Sequence, residues 1–313
     1  MRAVWLTEFG GPEVLVAGDA PDPVPGDGQV LIQVAYANIT FVETQVRAGT
    51  MDMFKLEPPA IPGNGVGGVV RAVGAGVDQA WLGKRVITSV GGSGGYAELA
   101  VAAAEGLYEV PGGVELDVAV ALLADGRTAA VLLRTAGVRA GERVLVEAAA
   151  GGVGSLLVQL AKAAGASVVA AAGGERKLEL ARELGADAAV DYREPGWSKA
   201  AGPVDVVFDG VGGAVGREAF GLLGEGGRML SYGLASGEAA GVPEEDAKAR
   251  GVSLVQPQYT PRFMREGTEH VLAEAAAGRL RPVIGQRFPL ERAADAHAAI
   301  ETRGTVGKTL LEV

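Results

Sequence analysis

Cysteine is absent from the 313 residues, and histidine occurs only twice. Without cysteine the chain has no disulfide, no thiolate zinc site and no cysteine nucleophile. His270 and His297 stand in separate alanine-rich segments near the end of the sequence and do not form a ligand pair. We therefore predict that the protein has no metal site.

Long apolar runs and an excess of positive charge are also missing. No run of about 18 consecutive apolar residues occurs, and Met1 leads directly into a strand-like segment, which predicts neither a membrane span nor a signal peptide. We expect a cytoplasmic protein. Lys and Arg total 28 against 38 Asp and Glu, which leaves a net charge of −10. This balance argues against nucleic-acid binding, which relies on cations that neutralise phosphates.

Glycine, by contrast, is abundant, with 49 residues, about twice its usual share of roughly 7%. The length suggests about two domains. Up to about residue 115, short alternating segments such as Val30–Tyr36, separated by turns, predict a small antiparallel barrel-like unit. Helices are predicted over Leu116–Ala124 and Thr128–Thr135. From Val144–Glu147 to Met229–Tyr232, apolar strands alternate with helices, which predicts a parallel sheet covered on both faces.

The most informative glycines follow the predicted strand Val144–Glu147. The segment Ala148–Ser155 has the pattern A-x-G-x-x-G, with Ala149 at the first glycine position, and leads into a predicted helix, which is the context that a dinucleotide fingerprint requires. Gly151 lets the backbone approach a pyrophosphate, Gly154 lets the helix pack on the strand, and the helix N-terminus offers N–H groups to the anion. A tight turn without a ligand is the alternative interpretation.

Charge then favours one nucleotide. A carboxylate about 20 residues beyond the glycines would accept hydrogen bonds from a ribose 2′-OH and select NAD. Here the second strand ends in Ala170–Gly174 without an acid, and Arg176 and Lys177 follow. A cation in place of an acid favours a 2′-phosphate, and Tyr192 is a further contact to that phosphate or to adenine. The sequence favours NADPH, although both cations are also compatible with an ordinary solvated helix face.

Several segments that occur in a fixed order along the chain carry a family resemblance. These segments are Thr40–Gly49, Pro62–Val70, Gly94–Glu98, Gly126–Ala129, Ala148–Gly154, Gly173–Lys177, Asp191–Glu194, Ser231–Gly233 and Gly307–Lys308. Together they resemble the zinc-independent medium-chain dehydrogenase/reductases of the quinone oxidoreductase (zeta-crystallin) branch. The resemblance covers nearly the whole chain.

The resemblance implies an α/β protein with a GroES-like, β-rich catalytic domain from residues 1–120 and 261–313. A Rossmann domain with a doubly wound parallel sheet would occupy residues 121–260. The implied activity is zinc-independent and NADPH-dependent, with a small-molecule electron acceptor (a quinone, an enone or an alkenal), in a homodimer. The implied cofactor-binding residues are Thr128, Gly151, Gly152, Val153, Gly174, Lys177, Tyr192, Val211, Tyr232 and Gly233.

Catalytic candidates follow from the chemistry of the acceptor. The cofactor carries the hydride, but reduction of an enone places negative charge on an enolate oxygen, which a hydrogen-bond donor would stabilise. Thr40 ranks first by its family position, followed by Asn38, with Tyr36 and Thr128 as alternatives. Met51 stands where many relatives carry Tyr, which argues against an enoyl-thioester reductase. A protein that binds NADPH with little or no turnover is the alternative function.

Overall fold

The computed structural model describes residues 1–52 and 54–313, which form two compact units. Unit 1 contains Met1–Ala124 and Leu272–Val313, and unit 2 contains Asp125–Val271. The predicted α/β class is confirmed, because unit 2 contains a parallel sheet and unit 1 is rich in antiparallel strands. Among the described residues, no helix combines the length and the apolar character that a membrane crossing requires.

The strands, in chain order, are β1 (Arg2–Leu6), β2 (Leu15–Asp19), β3 (Gln29–Ile39), β4 (Gly65–Val73), β5 (Arg85–Ser89), β6 (Leu99–Ala103), β7 (Tyr108–Glu109), β8 (Arg143–Glu147), β9 (Ser167–Ala172), β10 (Ala188–Asp191), β11 (Val204–Asp209), β12 (Leu223–Ser231), β13 (Ser253–Leu254), β14 (Ile284–Pro289) and β15 (Lys308–Glu312). The α-helices are α1 (Phe41–Arg47), α2 (Leu116–Ala136), α3 (Gly152–Ala163), α4 (Glu175–Glu183), α5 (Trp197–Ala201), α6 (Gly213–Gly221), α7 (Glu244–Ala249), α8 (Pro261–Ala276) and α9 (Ala293–Glu301).

Unit 1 is organised around the long strand β3. Val30, Ile32 and Val34 alternate with more exposed residues along this strand and are buried in the apolar core of the unit. The sheet order is β14-β15-β3-β4-β5-β7, with β6 also paired to β3. Strand β15, at the end of the chain, pairs antiparallel with β3, so that Leu310 lies opposite Asn38. Both ends of the sequence therefore build one sheet.

Unit 2 contains six parallel strands in the order β10-β9-β8-β11-β12-β13. Strands β8 and β9 are almost entirely buried, as expected for strands that are covered by helices on both faces. The strand order reverses between β8 and β11, and open α/β sheets bind their ligands at the carboxyl ends of the strands beside this reversal. We therefore expect a ligand site among the residues that follow β8, β9, β11 and β12.

Helix α2 corrects one detail of the sequence prediction. Leu116–Ala124 and Thr128–Thr135 are predicted as two helices separated by Asp125-Gly126-Arg127, yet Leu116–Ala136 is a single helix. A glycine inside a helix costs only about 1 kcal/mol relative to alanine. Gly126 is buried within the structure, and the many apolar residues that α2 buries on either side of it outweigh that cost.

Candidate cofactor site

The turn between β8 and α3 has the geometry of an anion-binding loop. Ala148 adopts a left-handed conformation with φ 48°, and the N–H of Gly151, the N-cap residue, donates to the Ala148 carbonyl at 2.8 Å. A Cβ on Gly154 would overlap the Ala148 carbonyl oxygen and would lie 2.9 Å from the Cα of Ala149. Only glycine therefore lets the helix begin this close to the strand. The first N–H groups of a helix have no intrahelical acceptor and attract anions.

A carboxylate already lies against this helix N-terminus. A Cβ on Gly152, the first residue of α3, would overlap Oδ2 of Asp125. Gly152 and Val153 are predicted to contact the cofactor pyrophosphate, whereas Asp125 was not singled out from the sequence because it stands far upstream, within α2. We expect this carboxylate to disfavour a second anion in the loop, because like charges repel.

The end of β9 lies beside the side chains that follow β10. A Cβ on Gly173 would lie 3.4 Å from the Tyr192 ring, and a Cβ on Gly174 (φ 95°) would lie 2.9 Å from Nη2 of Arg193. Oδ2 of Asp191 accepts from the Gly174 N–H at 2.9 Å and from Arg193 Nη2 at 2.6 Å. The hydrogen-bonded Arg193 guanidinium lowers the pKa of Asp191 to about 2, so Asp191 is ionised and holds Arg193 in place.

Arg193 is a candidate that the sequence analysis missed. Its side chain is 61% exposed, and within the described residues Nε and Nη2 donate to Asp191 whereas Nη1 makes no hydrogen bond. The predicted contact Lys177 lies half-buried in the first turn of α4, directly after the N-cap Gly174. Arg193 follows the predicted contact Tyr192 in sequence, but its approach to Gly174 depends on the pairing of β10 with β9. Lys177 thus follows Gly174 by three residues, and Arg193, which follows the next strand, lies against Gly174 in space.

The loops after β11 and β12 meet the start of the phosphate loop. The Tyr232 hydroxyl donates to the Glu147 carbonyl at 2.7 Å, and burial raises the pKa of Tyr232 well above its usual value, so the hydroxyl remains a neutral donor. A Cβ on Gly233 would lie 2.6 Å from the Gly210 carbonyl oxygen. The predicted contact Val211 is buried in the loop after β11. These residues come together as expected from their positions at neighbouring strand ends.

All the predicted cofactor residues belong to unit 2. Most lie directly after strands of the parallel sheet or in the first turn of the helices that follow, whereas Thr128 is a half-buried residue of α2. The two catalytic candidates, Asn38 and Thr40, belong to unit 1. The structure therefore groups most of the predicted cofactor residues at one edge of the parallel sheet, whereas the two catalytic candidates belong to unit 1.

The catalytic candidates belong to a polar cluster in unit 1. The Thr40 hydroxyl donates to Oε2 of Glu43 at 2.9 Å, and the same carboxylate accepts from the backbone N–H groups of Thr40 and Asn64 at 2.6 and 2.9 Å. Burial raises the pKa of Glu43. Asn38 is 1% exposed, and its Nδ2 has no hydrogen-bond partner within the part of the chain that the structure describes. The Thr40 proton is engaged in a helix cap, whereas the Asn38 amide has an unused donor.

The similarity of this chain to known proteins identifies its family. A model described as the alcohol dehydrogenase GroES-like domain matches residues 26–112, and one described as zinc-binding dehydrogenase matches residues 184–311. The chain is 35% identical to quinone oxidoreductase of Homo sapiens over 323 residues, which cover 99% of this chain and 97% of that protein. The chain belongs to the quinone oxidoreductase family. The predicted resemblance and the predicted GroES-like unit are thereby confirmed.

Further relatives span the whole chain as well. A 2-haloacrylate reductase of Burkholderia is 32% identical over 99% of this chain and 98% of that protein. The crystal structure of an NAD-dependent alcohol dehydrogenase superimposes with a TM-score of 0.91 at 32% identity, with full coverage of both chains. Quinone oxidoreductase from Thermus thermophilus, solved also in complex with NADPH, gives a TM-score of 0.86 at 34% identity, again with full coverage.

This quinone oxidoreductase family member has few residues with which to hold zinc. It has no cysteine, and in residues 1–52 and 54–313 no three side chains of His, Cys, Asp or Glu lie close enough together to hold a metal ion. Asn64 donates its backbone N–H to Glu43 within unit 1. Met51 packs half-buried against the apolar core of unit 1.

Proposed function

We propose that this NADPH-dependent oxidoreductase of the quinone oxidoreductase family reduces a quinone or an α,β-unsaturated carbonyl without a metal ion. One observation carries the choice of cofactor: the end of β9 has glycines in place of an acid, with the Arg193 guanidinium against Gly174 and Lys177 in the next helical turn. A ribose-binding carboxylate on this strand would select NAD, whereas cations suit a 2′-phosphate. The NADPH complex of the Thermus relative agrees with this assignment.

The residues of unit 2 fit the whole cofactor. The loop between β8 and α3, where position 154 has no room for a side chain, would bind the pyrophosphate through the N–H groups of Gly151, Gly152 and Val153. The 2′-phosphate would contact Gly174, Lys177, Tyr192 and Arg193, and the nicotinamide side would contact Thr128, Val211, Tyr232 and Gly233. NADPH supplies the hydride when bound, and the protein contributes binding, orientation and exclusion of water.

The acceptor determines whether a side-chain donor is needed. Hydride addition to a quinone leaves an anion that solvent can protonate, whereas reduction of an enone develops charge on an enolate oxygen, which a positioned N–H or O–H stabilises. We propose Asn38 and Thr40 for this role. The unpartnered Nδ2 of Asn38 supports its choice, and Thr40 would have to exchange its hydrogen bond with Glu43 for one to substrate. The names of the human and Burkholderia relatives point to a quinone and to an activated alkene, respectively.

One experiment separates turnover from binding alone. The purified full-length protein, dialysed against a chelator, is assayed for NADPH and NADH oxidation with quinones, enones, alkenals and enoyl thioesters, while NADPH binding is followed in parallel by fluorescence. We expect NADPH oxidation with a quinone or an enone and little with enoyl thioesters. Saturable binding without oxidation of any acceptor would favour the alternative of a binding protein without turnover. Activity that is lost on chelation and restored by zinc would contradict the metal-free mechanism.

The proposed homodimer is a separate question. The parallel sheet of unit 2 ends in the two-residue strand β13, which is hydrogen bonded to β12, and family members commonly pair through such a sheet edge. We propose the same arrangement for this chain. Sedimentation equilibrium is expected to give twice the monomer mass of 31.7 kDa, and a monomer at micromolar concentration would contradict it.

A further inference from the structure

Two buried carboxylates meet where the strand order of unit 2 reverses. Glu147 ends β8 and Asp209 ends β11, and both are fully buried, with 0% exposure. The two strands are paired so that the preceding residues, Val146 and Phe208, lie opposite each other. The N–H of Val211 donates to Glu147 Oε2 at 3.1 Å and to Asp209 Oδ1 at 3.1 Å. One donor thus lies within hydrogen-bond distance of both carboxylates.

The two carboxylates have unequal surroundings. Asp209 also accepts from the Gly212 N–H at 2.7 Å and from the Ser231 hydroxyl at 2.8 Å. The donors near the Glu147 carboxylate are two backbone N–H groups, those of Val211 and Gly210, and its buried Oε1 has no partner among the described residues. Neither carboxylate takes part in an ion pair in the described part of the chain. Because an isolated buried charge is costly, the pair is best satisfied by one proton, carried by the carboxyl group with fewer donors.

Within residues 1–52 and 54–313, the titratable groups around the pair supply no cation. Tyr232, on the loop after β12, is neutral, and Asp125 of α2 and Tyr192 after β10 also act on its hydroxyl electrostatically. Burial, followed by the charge of Asp209, raises the pKa of Glu147 well above its usual value. This direction agrees with the count of hydrogen-bond donors. A protonated Glu147 has a hydroxyl to donate to Asp209.

The pair connects three loops that carry predicted cofactor contacts. Glu147 directly precedes the phosphate loop, and its carbonyl accepts from Tyr232 in the loop after β12. The third loop, after β11, is held through Val211 and Gly212, and the Val211 carbonyl accepts from the Ser236 N–H at 2.8 Å. Any movement of the pair therefore moves the backbone on the proposed nicotinamide side of the site.

We propose that Glu147 is a positioning residue, a neutral acid that donates one shared proton to Asp209 and so holds these three loops in the form that binds NADPH. The proposal rests on the proposed function for its cofactor. Loss of the proton places two negative charges together in a dry site, and the loops separate to admit water. NADPH binding then weakens as the pH rises above the pKa of Glu147, by up to about tenfold per pH unit for one proton.

Enzyme kinetics across pH test the coupling. In wild type, KM for NADPH is expected to rise at alkaline pH with a smaller change in kcat. Glu147→Ala removes the donor and is expected to raise KM at every pH. Glu147→Gln restores a neutral donor and is expected to recover much of that loss with a flat pH profile. Glu218→Gln, which removes an exposed carboxylate from α6, is the control and should keep the wild-type profile.

Infrared spectroscopy provides a readout that needs neither NADPH nor turnover. The wild-type protein is expected to show the C=O band of a buried protonated carboxyl group that persists above neutral pH, and Glu147→Gln is expected to lack it. A wild type without that band, or a Glu147→Gln variant that keeps the wild-type pH dependence of KM, would overturn the inference. If instead NADPH is not the cofactor, the wild type fails to saturate with NADPH at any pH while the infrared band remains.

Discussion

Replacement of Arg193 by glutamine tests most directly how the site distinguishes NADPH from NADH. The guanidinium lies against Gly174 and is held by a two-pronged ion pair, with Nε 3.0 Å from Oδ1 and Nη2 2.6 Å from Oδ2 of Asp191. The Nη1 group points to no acceptor within the described residues. It is therefore positioned to donate to a phosphate near the end of β9, and glutamine removes both this donor and the charge.

The size of the effect follows from exposure. A hydrogen bond to a charged group contributes about 1.5–3 kcal/mol when it is shielded from water. The Arg193 side chain is 61% exposed, so solvent screening weakens its hydrogen bond to a phosphate well below this figure. We expect KM for NADPH to increase by about five- to tenfold. KM for NADH is expected to stay the same or to fall, because Asp191 becomes free to accept a hydrogen bond from a ribose hydroxyl.

The assay is kcat/KM for NADPH and for NADH with one acceptor at fixed ionic strength, together with the melting temperature. Arg176→Gln is the matched control, because it removes a charge from an exposed position on the same helix as Lys177 and should change the NADPH preference by less than about twofold. Lys177→Ala is expected to lower the preference as well. An unchanged ratio in Arg193→Gln would refute the assigned role, and an equal loss for both cofactors would show that Arg193 only orders the loop.

Three further predictions concern the loops of unit 2. Gly154→Ala is expected to lower the free energy of unfolding, measured in urea, by about 1–3 kcal/mol, because the added Cβ would overlap backbone atoms. Gly221→Ala on α6 is the control: its added Cβ would meet no atom within 4 Å, so it should be neutral or stabilising. Asp125→Asn is expected to lower the Kd for NADPH, measured by calorimetry, because it removes the negative charge beside the phosphate loop. Weaker binding would mean that Asp125 instead contacts the cofactor. The pKa of Asp191 is lowered to about 2 in the folded protein, so ionised Asp191 stabilises the fold at pH values above its unfolded pKa of about 4, and this stabilisation is lost as the pH falls toward 2. Asp191→Asn is expected to reduce the fall in melting temperature over this acidic range. An unchanged fall would contradict the assignment.

The sequence predicted the parts of unit 2 that depend on neighbouring residues. Strand β8 was expected at Val144–Glu147 and occupies Arg143–Glu147, because a short apolar run bounded by a small-residue turn has a local signal. Helix α3 was expected to begin at Ser155 and begins at Gly152. Glycine has a low helix propensity, so the sequence pattern assigns Gly152 to the loop before α3. In the structure, the close packing of Gly154 on Ala148 lets the helix begin at Gly152.

Arg193 shows why part of the site could not be predicted. Its importance depends on β10 lying next to β9, with Asp191 paired to Ala172, which brings the residues after one strand over the glycines after the other. Sequence spacing gives no strand order, and the fingerprint concerns only the first two strands. Tyr192 was identified through the family resemblance, whereas its neighbour Arg193 needed the geometry of the sheet.

The same topology explains why an acidic protein can bind a cofactor with several phosphates. Four carboxylates lie near the predicted cofactor loops, in surroundings that the sequence does not reveal. Asp191 has the Arg193 guanidinium, Glu147 and Asp209 have the proposed shared proton, and Asp125 lies against the first residue of α3. The net charge of −10 therefore says little about the local field. Asp125 lies against Gly152 at the start of the loop proposed for the pyrophosphate, so we expect its charge to oppose NADPH binding and the charges of Arg193 and Lys177 to favour it.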